Sequence, residues 1–170
     1  ADSGLDRSHC WFLDPIHPIA DLVLPSTASY IALPELGHAK IKAYIRVCPS
    51  QSCSFPTDLI DASGHGTHVA GILAAQSTCG GAAPASRSRL VFFDLESGAG
   101  DGSLSMPFLM EGMWRTAMYA GARVFSASWG GYCDGIYDEF AAQFDAWAWQ
   151  NPDFVFVISA GNCGGGLGPG

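Results

Sequence analysis

The chain has 170 residues, 48% of them apolar, which suffices for one sizeable core and makes it one domain or a piece of one. Sixteen carboxylates stand against eight Lys and Arg, a net charge of -8, and this argues against a nucleic-acid partner, which needs clustered basic residues. No apolar run approaches the roughly 20 residues of a membrane-spanning helix, and the N-terminus lacks the charged and apolar zones of a signal peptide, so the segment reads as soluble with no membrane span.

In chain order, residues 14–40 mix prolines with short apolar clusters and read as a long surface excursion. "IKAYIRV" (41–47) is β-rich and bounded by turn residues, the first of four short apolar runs that suit strands buried on both faces of a parallel sheet. A helical pattern over 65–76 carries Val69, Ile72 and Leu73 on one stripe, with Ser63 positioned to cap its first turn. "RLVFFDL" (89–95) is the second strand, followed by a glycine-rich loop over 96–105. Met106, Met110, Met113, Trp114 and Ala117 recur at helical spacing over 106–120 before Gly121, a C-terminal stop. "ARVFSASW" (122–129) is the third strand, Ile136, Phe140, Phe144 and Trp147 mark a helix over 136–149, and "FVFVIS" (154–159) is the fourth strand. This alternation predicts an α/β fold, a parallel sheet flanked by helices with right-handed crossovers, in which the aromatic and Met stripes are core.

Six cysteines, at 10, 48, 53, 79, 133 and 163, permit three disulfides in an oxidising compartment, against the alternative of six buried thiols. Fifteen complete pairings are possible, and Cys48 with Cys53 is the easiest local one.

"GHGTHVAG" (64–71) sets two histidines, His65 and His68, three residues apart among glycines. A zinc helix of the H-E-x-x-H kind spaces its ligands at i and i+4 with a glutamate between them, and neither condition is met. A dinucleotide loop needs G-x-G-x-x-G after a strand; here Val69 stands at the third glycine, and the second cluster, "GAGDGS", has Ser103 there. A general-base imidazole needs small neighbours that admit substrate and backbone, with a hydroxyl on one side and an orienting carboxylate on the other, and Gly64 and Gly66 supply that room.

The rest of the chain supplies partners. "DSGLD" (2–6), "GHGTHVAG" (64–71), "SASWGG" (126–131) and "SAGN" (159–162) resemble four successive motifs of the subtilisin-like serine peptidases, in that family's order and across nearly the whole chain. Singly, each has an ordinary explanation: a terminal acid, a strand ending in a turn, a turn asparagine. Their order, and their position at strand ends, removes those explanations. The "DSGLD...HCWFLDP" opening and the "SASWG" variant are similar to the large multidomain subtilases of protists, some of which are fused to transporters.

The resemblance implies that Asp2 orients and charge-balances His65, the general base, while His68 falls on the helix as a structural residue. It implies that Ser128, Trp129 and Gly130 form an edge on which a polypeptide substrate lies as an added strand, that Ser159, Ala160 and Gly161 form the opposite wall, and that Asn162 donates to the oxyanion. It implies no cofactor and no metal, and a short segment after the His helix lacks the Asn-rich calcium insertion of the bacterial enzymes.

The family's serine lies downstream of the Asn in a G-T-S-[MA] motif, which this chain does not contain. The expectation is therefore a partial domain over 1–170, truncated at both ends, whose partner is the remaining part of its own catalytic domain. The start is clipped in the same sense, since Asp2 should end a buried strand. The alternative is a non-catalytic peptide-binding module. Cysteine content and family together imply a secreted or secretory-pathway protein.

Overall fold

The computed structural model describes residues 1–34, 37–49, 61–76, 79–97, 103–131 and 135–164. Its strands are β1 (Asp21–Leu24), β2 (Ile41–Val47), β3 (Leu90–Asp94), β4 (Val124–Ala127) and β5 (Val155–Ile158), and its helices are α1 (His65–Ala74), α2 (Glu111–Tyr119) and α3 (Glu139–Gln150). These five strands pair in parallel, in the orders β1-β2-β3 and β4-β5. The α/β fold with parallel strands and flanking helices is thus present. β2 holds the middle of its sheet because five of its seven residues, Ile41, Ala43, Tyr44, Ile45 and Val47, are apolar or aromatic and buried on both faces; Arg46 is buried with them, and Lys42 is the half-buried exception.

Three differences from the sequence reading stand out. Within the excursion expected over 14–40, residues Asp21–Leu24 form β1, pairing with Tyr44–Val47. The 136–149 helix starts later, at Glu139, because Asp138 caps it by accepting from the Ala141 N–H at 2.8 Å, and Ile136 is left outside and exposed. In α1 the expected stripe is inverted: Gly66, Ala70, Gly71 and Ala74 are buried, whereas Ile72 is 60% exposed and Leu73 39%.

The main core surrounds Trp114 of α2, whose ring meets Phe125 of β4, Phe144 and Trp147 of α3 and Phe156 of β5. α2 ends as its glycine predicts. Gly121 has φ 91°, its N–H donates to Met118 O and the Ala122 N–H to Ala117 O, the paired bonds that close a helix over a left-handed residue.

The first two residues lie between the two sheets. The Asp2 N–H donates to Phe93 O at 3.0 Å, the Leu95 N–H to Asp2 O at 2.9 Å, and the Ala1 nitrogen to Ser126 O at 3.1 Å, so the chain enters in parallel register with β3 and reaches β4. An apolar cleft of about 720 Å³ opens beside them, walled by Val69 and Leu73 of α1, Val91 of β3, Ala117 of α2 and Val124 of β4.

Candidate active site

Asp2 pairs with Asp94 at the carboxyl end of β3, which delivers its side chain to the rim where parallel sheets place their sites. Its side chain is 3% exposed. Oδ1 accepts from the Ser3 N–H at 2.8 Å and lies 2.6 Å from His65 Nδ1, while Oδ2 is buried with no hydrogen-bond partner among the described residues. Since an ionised carboxylate only accepts, Nδ1 carries the proton, and Nε2 is left with its lone pair. The imidazole is 50% exposed, so one edge is locked and the other faces solvent. A carboxylate-oriented imidazole of this kind can remove a proton from a hydroxyl presented at Nε2.

The glycines around His65 have separate reasons. Gly64 is the N-cap of α1 at φ 71°, a left-handed conformation that other residues rarely adopt. Gly66 permits contact: a Cβ there would stand 2.1 Å from Gly4 O and 3.1 Å from Asp2 Cβ. Ser63 is one residue outside the cap position assigned to it; its Oγ accepts from the His65 N–H at 3.1 Å. The carboxylate of Asp61 does more, accepting from the N–H groups of Gly64 at 3.0 Å and Thr67 at 2.7 Å. Thr67 Oγ1 in turn accepts from the Asp6 N–H at 2.8 Å, so the Asp2 loop and the start of α1 interlock at several points. Sequence reading did not single out Asp61. Its only signal was an acid four residues ahead of the histidine.

Gly66→Ala should lower stability by about 1–3 kcal/mol, because the obstacle is backbone rather than a side chain that can swing away. Gly131→Ala, where an added Cβ meets nothing within 4 Å, should stay within about 0.5 kcal/mol of the parent. Equal thermal melts for the two variants would contradict the close approach.

The other sequence-derived residues follow the carboxyl ends of β4 and β5. Trp129 Nε1 donates to Ala1 O at 2.8 Å, joining the Ser128–Trp129–Gly130 segment to the residue before Asp2. The Ser159 N–H donates to Ala127 O at 3.0 Å and its Oγ to Trp129 O at 3.2 Å, which sets Ser159, Ala160 and Gly161 beside that segment. Gly161 has φ 80° and Asn162 after it is exposed. His68, expected to serve the helix, is exposed, and it is His65 that meets Asp2.

A disulfide joins Cys10, beyond the Asp2 loop, to Cys79, beyond α1, and Cys48 and Cys163 are disulfide-bonded too. The Cys48/Cys53 pairing falls partly on Cys53, which lies outside the described residues. Between the bridged segments, the Trp11 ring packs where a side chain on Gly71 would stand, 2.5 Å from an added Cβ.

Comparison with known proteins agrees with the motifs. The family profile for peptidase S8, the subtilase family, matches residues 1–168. Three proteins of Dictyostelium discoideum are similar over 95% of this chain: the serine protease/ABC transporter B family proteins tagD (34% identical over 173 residues), tagB (32% over 175) and tagA (30% over 169). The chain spans 8% of the length of each. With its motifs in family order and a profile match along nearly its whole length, this chain belongs to the subtilase family of serine peptidases.

Proposed function

We propose that these residues form the acid–base part of an endopeptidase domain that hydrolyses peptide bonds through a Ser/His/Asp triad. The observation that carries the reading is the 2.6 Å bond between His65 Nδ1 and a buried Asp2 carboxylate, with the opposite edge of the imidazole open. His65 Nε2 takes the proton of a serine hydroxyl supplied by chain outside these residues, and the hydroxyl oxygen attacks the scissile carbonyl. Asp2 stabilises the imidazolium so formed, and His65 then returns the proton to the departing amine, leaving an acyl-enzyme for water to hydrolyse. Ser128, Trp129 and Gly130 carry the polypeptide substrate as an added strand, whose backbone hydrogen bonds tolerate many sequences. Ser159, Ala160 and Gly161 wall the pocket opposite, and the Asn162 amide donates to the oxyanion. A peptide-binding module without catalysis would need only the edge, and has no use for a buried carboxylate aimed at an imidazole. Disulfide-bonded Cys10, Cys48, Cys79 and Cys163 support a secretory or extracellular setting.

The test is labelling by a fluorophosphonate. The longer polypeptide that carries this segment should label on one serine outside residues 1–170 and lose the label in His65→Ala, whereas the isolated 170 residues should neither label nor hydrolyse peptides. Stoichiometric labelling of a serine within these residues would overturn the assignment. Retention of extended peptides with no labelling of either form would favour the binding module.

A further inference from the structure

We propose that Asp61 is a positioning residue for the Asp2–His65 pair, its buried carboxylate locking the loop that carries one to the helix start that carries the other. The inference rests on the reading of that pair as a catalytic acid–base couple. Asp61 is 6% exposed and has no ionic partner among the described residues. Its charge is met by donors alone: Oδ1 accepts from Ser3 Oγ at 2.9 Å, Ser63 Oγ at 3.2 Å and the Gly64 N–H at 3.0 Å, and Oδ2 from the Thr67 N–H at 2.7 Å.

Capping a helix does not require this. An exposed Ser, Asp or Asn at the N-cap satisfies the same N–H groups without burying a charge, which is costly. The part that capping leaves unexplained is the bond to Ser3, 58 residues away in sequence. The Ser3 N–H grips the same Asp2 oxygen that accepts the hydrogen bond from His65 Nδ1. The bonds therefore close a ring, from Asp61 through Ser3 and Asp2 to His65, and back along the first turn of α1 to the amides that Asp61 holds. Gly4 lets the loops come together: at φ 128°, a Cβ there would lie 3.2 Å from Asp61 Cα. Asparagine cannot replace Asp61 in this ring. One of its two terminal atoms becomes a donor, facing either the Thr67 N–H or the donors gathered on Oδ1.

The experiment compares Asp61→Asn, Ser3→Ala and the double variant in the intact polypeptide, by steady-state kinetics and by the low-field NMR signal of the His65 Nδ1 proton. Loosening the pair by a fraction of an ångström should lower kcat about 10- to 100-fold in Asp61→Asn with KM within about twofold. Ser3→Ala should lose less, and the double variant no more than Asp61→Asn, because one ring is broken only once. The low-field signal should weaken or vanish while circular dichroism still reports a folded protein. Should Asp61→Asn fail to fold, Ser3→Ala keeps both capping amides bonded and must still diminish the signal. A lowered melting temperature with kcat and the proton signal unchanged, or kcat losses that multiply in the double variant, would overturn the proposal. An inactive wild type would instead count against the peptidase reading, and the NMR comparison would still decide the role of Asp61.

Discussion

Asp2→Asn should lower kcat about 10,000-fold in the intact peptidase, the scale on which triads lose their orienting carboxylate, with KM little changed. The buried site leaves asparagine two poor orientations. If its amide nitrogen faces His65, the Nδ1 atom must accept, its proton moves to Nε2, and the base is in the wrong tautomer. If its carbonyl keeps the Ser3 and His65 bonds, the amide group occupies the place of Oδ2, where no hydrogen-bond partner exists among the described residues. In both orientations the negative charge opposite the developing imidazolium is gone. Kinetics on one peptide amide, read beside a thermal melt, separates this from misfolding. A folded variant within tenfold of wild-type kcat would show that Asp2 does not orient the base.

Asn162→Ala should cost about 100- to 1,000-fold in kcat, because its amide is assigned to an oxygen that gains charge only in the tetrahedral transition state. Asn162→Asp should be at least as poor, since a carboxylate repels that charge. Asn162 is exposed past the end of β5, so truncating it disturbs no core packing and the effect reads on chemistry. Near-full kcat in Asn162→Ala, or a loss confined to KM, would remove it from the oxyanion site.

Strands that carry a continuous apolar run were legible in the sequence, although burial on both faces holds for β2 and not for β4 or β5, whose Val124, Val155, Val157 and Ile158 are exposed. The run 41–47 is β2 residue for residue, and β3, β4 and β5 fall inside the expected segments. β1 was not, because a four-residue edge strand with one fully buried side chain carries neither alternation nor a continuous apolar run, and it exists only because β2 offers it an edge. The α1 stripe inverted for a related reason. Hydrophobic periodicity assigns burial to large side chains, but this helix is pressed against backbone and a Trp ring, which only Gly66 and Gly71 can approach. Val69 and Leu73 consequently face the cleft beside Ala1.

The Asp2–His65 pair was legible through motif order, since no spacing rule joins residues 63 apart. Asp61 was not, because an acid ahead of a helix ordinarily reads as a cap. Its bond to Ser3 exists only once both loops are folded. The Cys10–Cys79 bridge was likewise one of many pairings that counting cannot separate.

That bridge also bears on how the pair finds itself in the unfolded chain. Asp2 and His65 are separated by 63 residues along the backbone. Through the bridge the path shortens to the eight residues from Asp2 to Cys10 and the fourteen from Cys79 back to His65. With closure probability falling as the three-halves power of tether length, the local concentration of one side chain about the other rises about fivefold. Oxidation of the Cys10 and Cys79 thiols thus acts as a tether on the Asp2–His65 pair, and a thiol reductant would slow its assembly without touching either residue.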